Sequence, residues 1–208
     1  MKLADLFEAP QFIMPTSFNL DNKRFNSNYA KTLLRTKNKH IVDSIDETTQ
    51  LYEFNTGYAL IDTSVPEILY YVRFKIARIS YIGRPCVQQI KIWRSFVSTK
   101  NVDIAQKVFF EHLMPKFGCI ITDIQQTEGE RSGQAFWFNR IANAFVKHLF
   151  VYFVSLIPHR MIKQIHNDKE LKEIISNAWG WDHKYQAKRI IIADKPLQQK
   201  QDTSKGGV

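Results

Sequence analysis

The residues best placed to do chemistry gather at a polar break, residues 122–129 (Thr-Asp-Ile-Gln-Gln-Thr-Glu-Gly). It lies between the apolar run Gly118-Cys119-Ile120-Ile121 and the aromatic run Ala135-Phe136-Trp137-Phe138. Asp123 falls at a strand end, where a carboxylate can orient or deprotonate a nucleophile. It can equally cap the turn that follows, because aspartate readily bonds backbone two residues on. Gln126, Thr127, Glu128 and Arg131 bring donors, acceptors and charge to the same stretch, as a binding wall or as a solvated loop. Upstream, Gln88 and Gln89 share a strand; an amide takes no proton, so they can hold a water or a ligand but cannot act as bases themselves. Trp93 and Trp137 offer flat faces for stacking, and equally for core packing. The histidines show no metal-ligand spacing, and no charge adjoins Cys119 to lower its pKa. There is no Gly-x-Ser-x-Gly, no Walker loop and no Rossmann glycine set.

These residues must be positioned by a strand–helix–strand–helix–strand block. Its strands are expected at 86–96, 119–122 and 147–154, and its helices at 102–114 (stopped by Pro115) and 133–145. Strands alternating with helices predict crossovers and a locally parallel sheet, with ligands beyond the carboxyl ends of the strands. Before the block, periodicity predicts a helix over 29–45, interrupted near Asn38, and strands at 50–55 and 58–62 about Thr56-Gly57. A long strand with one wet face is expected at 67–79. After the block, 159–178 reads as mostly helical with a break near Asp168, and 186–194 as a β-branched strand. Residues 1–49 are expected as an arm and helix packed on the core through Phe7, Phe12, Ile13 and Phe18. Residues 50–195 form the main domain and 196–208 a disordered tail.

The chain has 208 residues, with 29 Lys and Arg against 20 Asp and Glu, a formal charge of +9. That field favours polyanions, which makes nucleic acid a partner to weigh, although the cations are spread through 23–39, 73–94, 147–172 and 184–200. No apolar run is long enough to span a bilayer, and the opening residues meet Glu8 and Pro10 before any secretory core develops. Cys86 and Cys119 read as reduced core residues. The expectation is a cytoplasmic protein without membrane contact, and the arm leaves open docking on a second copy as a homodimer.

An antiparallel meander, the strand–helix–strand–helix–strand block and a late strand together resemble the GNAT superfamily of acyl-CoA-dependent N-acyltransferases over 50–195. The fold class implied is α/β (α+β) with a GNAT-like mixed sheet. In that family the meander's last strand splays from its parallel neighbour and acyl-CoA enters the gap. The following helix turns its N-terminus to the pyrophosphate. The resemblance places acetyl-CoA, or another acyl-CoA, against Trp93, Arg94, Ser95, Phe96, Ser98, Thr99, Lys100, Asn101 and Val102. The family's phosphate loop is glycine-rich; here it holds no glycine, leaving hydroxyls and Lys100 to meet phosphate. It implies Asp123 as base for an amine and Tyr152 as proton donor to the leaving thiolate, although Tyr152 lies in a strand and not on the helix where the family puts it. The acceptor would meet Gln88, Gln126, Thr127, Arg131 and Trp137. Ile90–Trp93, Thr122-Asp123, Gln126-Thr127, Gly133 and Phe136-Trp137 are also similar to a phage-type, Mom-like subgroup that modifies DNA. The expected function is therefore acyl transfer to an amine, on a substrate that includes nucleic-acid-associated ones. The alternative is a non-catalytic module on the same fold that binds nucleic acid or protein.

Overall fold

The computed structural model describes residues 19–78, 82–95, 103–122, 130–155, 161–178 and 188–197. It is a mixed α+β structure built on a large mixed sheet. The strands are β1 (Lys39–Ser44), β2 (Thr49–Phe54), β3 (Gly57–Asp62), β4 (Glu67–Arg78), β5 (Pro85–Arg94), β6 (Cys119–Ile121), β7 (Phe150–Ser155), β8 (Met161–Ile165) and β9 (Lys188–Ala193). Their hydrogen-bonded order is β1-β2-β3-β4-β5-β6-β9-β7-β8. The pair β5–β6 is parallel, whereas β1–β2, β2–β3, β3–β4, β6–β9, β7–β9 and β7–β8 are antiparallel. The chain divides into two compact units, Met1–Phe74 with Ile90–Ala105, and Lys75–Gln89 with Gln106–Val208.

The first unit is organised by helix α1 (Lys23–Arg35). Asn22 caps it, its side-chain oxygen accepting the Phe25 N–H at 3.0 Å. The helix starts six residues before the expected Tyr29 because that cap, invisible to apolar periodicity, begins it. It stops at Arg35, where Thr36 turns extended, so Ile41 and Val42 belong to edge strand β1 and not to the expected helix. The stripe Asn26, Tyr29, Ala30 and Leu33 packs against Tyr52, Ala59, Ile61, Ile68 and Tyr71. Asn26 locks this contact: its amide donates to the carbonyls of Leu20 (3.1 Å) and Ile68 (3.0 Å) and accepts the Ile68 N–H at 2.7 Å. β4 is buried on both faces from Ile68 to Val72, not wet on one as expected. The reason is local, since α1 packs on Ile68 and Tyr71 while Val72 also lies opposite Tyr58 of β3. Gly57 opens β3 beside β4, and a Cβ there would meet the Val72 carbonyl oxygen.

In the second unit, β5 and β6 are joined by the parallel register Val87↔Ile120 and Gln88↔Ile121. One step earlier the same register sets Cys86 beside Cys119, their Cα atoms 4.7 Å apart, and the two form a disulfide. The expected reduced thiols are thus corrected. Each sequence context looked like ordinary buried strand, and only the pairing makes them partners. Cysteine usage therefore no longer argues for a reducing compartment.

The connection between these strands is helical over 104–117: α2 (Ile104–Lys107), a π-helical segment Val108–Leu113 and α3 (Met114–Phe117). Pro115 was expected to stop the helix at Met114. Instead, the Met114 N–H reaches back to the Phe109 carbonyl through the wider π turn, and Pro115 enters as the start of the last α turn. Gly118 ends the helix with φ +66, its N–H on the Met114 carbonyl at 2.8 Å. A Cβ at Gly118 would strike the Arg84 guanidinium and the Asp194 carboxylate, which form an ion pair at 2.8 Å across this corner.

Helix α4 (Glu130–Val146) leads to β7, somewhat longer than the 133–145 expected. The stretch expected as helix over 159–178 divides into strand β8 and helix α5 (Asp168–Ala178). Met161–Ile165 pairs with Val151–Ser155, a non-local ladder that overrides helical periodicity. Asn167 and Glu170 then cap α5 reciprocally: Glu170 N–H donates to the Asn167 side chain at 3.0 Å, and the Glu170 carboxylate accepts from the His166 N–H at 3.1 Å. β9 matches its expected position. The tail is docked at its start, because Leu197 is buried and its N–H donates to the Tyr152 hydroxyl at 3.1 Å. The rest of the expected tail, and the arm residues Phe7, Phe12, Ile13 and Phe18, lie outside the described residues.

Two outcomes test this packing. Burial raises the phenols of Tyr29 and Tyr71 above their ordinary 10.0, and their hydroxyls lie 3.3 Å apart. The folded state therefore holds them protonated where the unfolded chain would ionise. Their contribution is intact below pH 10 and is lost as pH rises above it. Thermal midpoints should fall between pH 9.5 and 11, and Tyr71→Phe should flatten that fall; an unchanged slope would count against the burial. For the disulfide, whose cysteines are 33 apart in sequence, reduction or Cys119→Ala should cost about 2–4 kcal/mol, read as a lower denaturant midpoint.

Candidate functional site

Strand β5 carries the expected binding residues, and its ladder decides what they can do. Gln88 is buried at 3% exposure and is the last residue of β5 in register with β6, opposite Ile121. Among the described residues no further pair joins these strands, while β5 runs on to Arg94. Gln89 stands at this point. It is 4% exposed, and neither its amide oxygen nor its amide nitrogen has a hydrogen-bond partner. A buried amide left unpaired costs about 1–3 kcal/mol, so such a group marks a missing ligand, a water or stored strain.

Further along, Trp93 is half-buried against the cluster under α1, and its indole N–H donates to the Asp21 carboxylate at 3.0 Å. Arg94 is exposed, and the Ser95 N–H bonds the Leu69 carbonyl at 2.9 Å. The remaining expected coenzyme contacts, Phe96, Ser98, Thr99, Lys100, Asn101 and Val102, lie outside the described residues. So do Asp123, Gln126 and Thr127. Asp123 is preceded by Thr122, whose N–H donates to the Ile190 carbonyl and whose hydroxyl accepts the Ile190 N–H, at 3.0 and 3.1 Å. The end of β6 is thereby anchored to β9. Arg131 lies in α4, and its side chain is not among those described.

Two expected residues are placed in packed interiors. Trp137 is buried and meets Phe109 edge-to-face, centroids 5.8 Å apart and planes at 84°. Tyr152 is buried among Cys86, Cys119, Ile121, Val154, Ile191 and Ala193, with its hydroxyl under the Leu197 N–H. It lies inside an apolar cluster rather than at an open strand end.

Arg140 carried little weight in the sequence, because an arginine on a helix is ordinarily a surface group. Here it is 2% exposed, with its guanidinium 5.1 Å from the centre of the Phe109 ring. The signal was its spacing: Trp137, Arg140, Ile141 and Ala144 form one buried stripe of α4. A helix read by composition hides a cation in that stripe; a helix read by face reveals it.

Among the described residues no group of His, Cys, Asp and Glu is arranged to hold a metal, and no helix is long and apolar enough to cross a membrane. The chain matches no protein-family model, and no curated protein or solved structure is significantly similar to it. The packing of Trp137 is testable. Trp137→Ala should cost about 3–5 kcal/mol in urea unfolding, with Trp137→Phe recovering most of it. A change below about 1 kcal/mol would return the indole to the list of ligand-facing groups.

Proposed function

We propose that the chain is a GNAT-like N-acyltransferase that moves an acyl group from acyl-CoA to an amine. One observation carries the reading: among the described residues the ladder of β5 with β6 reaches Gln88, and the next residue, Gln89, buries an amide with no partner. A strand with an unpaired edge accepts an extended, amide-bearing chain by backbone hydrogen bonding. The pantetheine arm of coenzyme A has that chemistry, and the Gln89 amide supplies one further donor and acceptor for it. The order meander, strand, helix, strand, helix, strand supports the same reading.

The acyl thioester supplies an activated carbonyl. Backbone N–H groups of β5 toward Trp93 would hold its oxygen, where fixed dipoles favour developing negative charge. In the balanced step the amine nitrogen bonds the carbonyl carbon, the carbon–sulfur bond breaks, and the thiolate leaves. The proton lost by the amine goes to Asp123 or to water held there. Lys100, Ser98 and Thr99 would meet the phosphates in place of a glycine loop.

The test couples stability to binding. Gln89→Met keeps the volume and removes the orphaned amide, so the free protein should melt at the same temperature or higher. The same variant should bind acetyl-CoA at least about tenfold more weakly by calorimetry, the loss of one hydrogen bond of about 1.4 kcal/mol. A flat titration of the unaltered protein at millimolar acetyl-CoA would sink the transferase reading.

A further inference from the structure

The first unit carries a feature that the transferase reading does not use. Helix α1 contains Lys23, Arg24, Lys31 and Arg35 and no acidic residue. From Lys23 to His40 the chain adds Lys37 and Lys39 and still has no Asp or Glu. These six cations without a counter-charge compare with a surplus of +9 for the whole chain. At 100° per residue, Arg24, Asn28, Lys31 and Arg35 fall on one line along the helix, opposite the buried stripe Asn26, Tyr29, Ala30 and Leu33. All four are exposed. Among the described residues an ion pair joins Arg84 and Asp194, and none there involves Arg24, Lys31 or Arg35. At 1.5 Å rise per residue the line is roughly 16 Å long, about five phosphates of one duplex strand.

We propose that this outward line of α1 is a docking strip for the phosphodiester backbone of nucleic acid. Arg24, Lys31 and Arg35 supply the charge, and the Asn28 amide supplies a neutral donor. Arginine suits phosphate because its planar fork can bond two oxygens at once. The helix is rigidly seated, since Asn26 makes two hydrogen bonds to Ile68 and one to Leu20. The cations are therefore presented as a fixed array and not on a loose tail. An anionic lipid surface is the weaker match. A helix lying in a membrane interface needs a free apolar face, and the apolar face of α1 is spent on the sheet. The strip contains no base-reading geometry, so it predicts binding without sequence preference. The proposal stands apart from the transferase reading: it concerns the first unit alone and survives a protein that binds no coenzyme.

The experiment is fluorescence anisotropy of the full chain with labelled single-stranded and duplex DNA of mixed sequence, titrated from 50 to 200 mM salt. The triple variant Arg24→Gln/Lys31→Gln/Arg35→Gln should lower the salt slope by about 2–3 and weaken binding at 50 mM salt at least about tenfold. A charge-matched control, Lys163→Gln/Lys169→Gln/Lys172→Gln, removes exposed cations from the second unit and should leave the slope within about one of the unaltered protein. Circular dichroism melts confirm that both variants fold. Equal weakening by the two triples would overturn the strip, because net charge alone would then explain binding. So would undetectable binding to either DNA form at 50 mM salt. Binding to phosphatidylserine vesicles, lost in the α1 triple while DNA stays unbound, would assign the strip to lipid and likewise overturn the proposal.

Discussion

The second unit rests on one short parallel contact, Val87↔Ile120 with Gln88↔Ile121. Parallel strands cannot be joined by a tight turn, so this contact requires the helical crossover over residues 104–117. Everything at the near end of the ladder reinforces it. The Cys86–Cys119 bridge lies one residue before the first pair, and the Arg84–Asp194 ion pair clasps the corner at Gly118. Gly118 is required there twice over, for its positive φ and for the space its missing Cβ leaves to both charged side chains. Among the described residues nothing comparable holds β5 to β6 at the far end. Thr122 ties β6 to β9 instead, through its backbone N–H and its hydroxyl. The described contacts of β5 with β6 are thus concentrated at one end of the ladder.

Buried polar groups mark the places where packing alone does not explain the residue. Asn26 is fully satisfied: three hydrogen bonds to Leu20 and Ile68 repay its desolvation and fix how α1 sits on β4. Gln89 is the opposite case, equally enclosed and unsatisfied. Both are neutral amides with the same inventory of donors and acceptors, so the difference lies in their surroundings. A satisfied amide specifies a fold, whereas an unsatisfied one is a cost that a ligand, a water or strain must account for. Arg140 adds a buried charge against the Phe109 ring, enclosed with Trp137 by the same aromatic cluster.

Charge and geometry are separable in this protein. The surplus of cations is plain from composition, but composition cannot say whether they form an array. The Asn22 cap and the buried stripe of α1 determine which of its residues face outward, and the outward set is the basic one. A helix beginning at Tyr29 would have left Arg24 outside it and dissolved the line.

The amino-acid sequence by itself determined the class of the fold and most of its strands. Alternation along β4 and β5 and the Ile190-Ile191-Ile192 run are local patterns, written in neighbouring residues, whereas the hairpin turn lies one residue earlier than the expected Thr56-Gly57, because Gly57 already pairs with Phe54. The sequence also showed that Gln88 and Gln89 cannot take a proton, but not that Gln89 would be buried without a partner. Tertiary structure alone decided the rest. β8 is a strand because β7 offers it a ladder, Pro115 stays helical because a π turn makes room, and the cysteines bond because a register brings them together. Each depends on a partner distant in sequence or on a change of helical pitch, and no local period encodes either. The same holds for what sits inside: a side chain's type is legible from its codon, but its burial and its lack of a partner exist only once the neighbours have arrived.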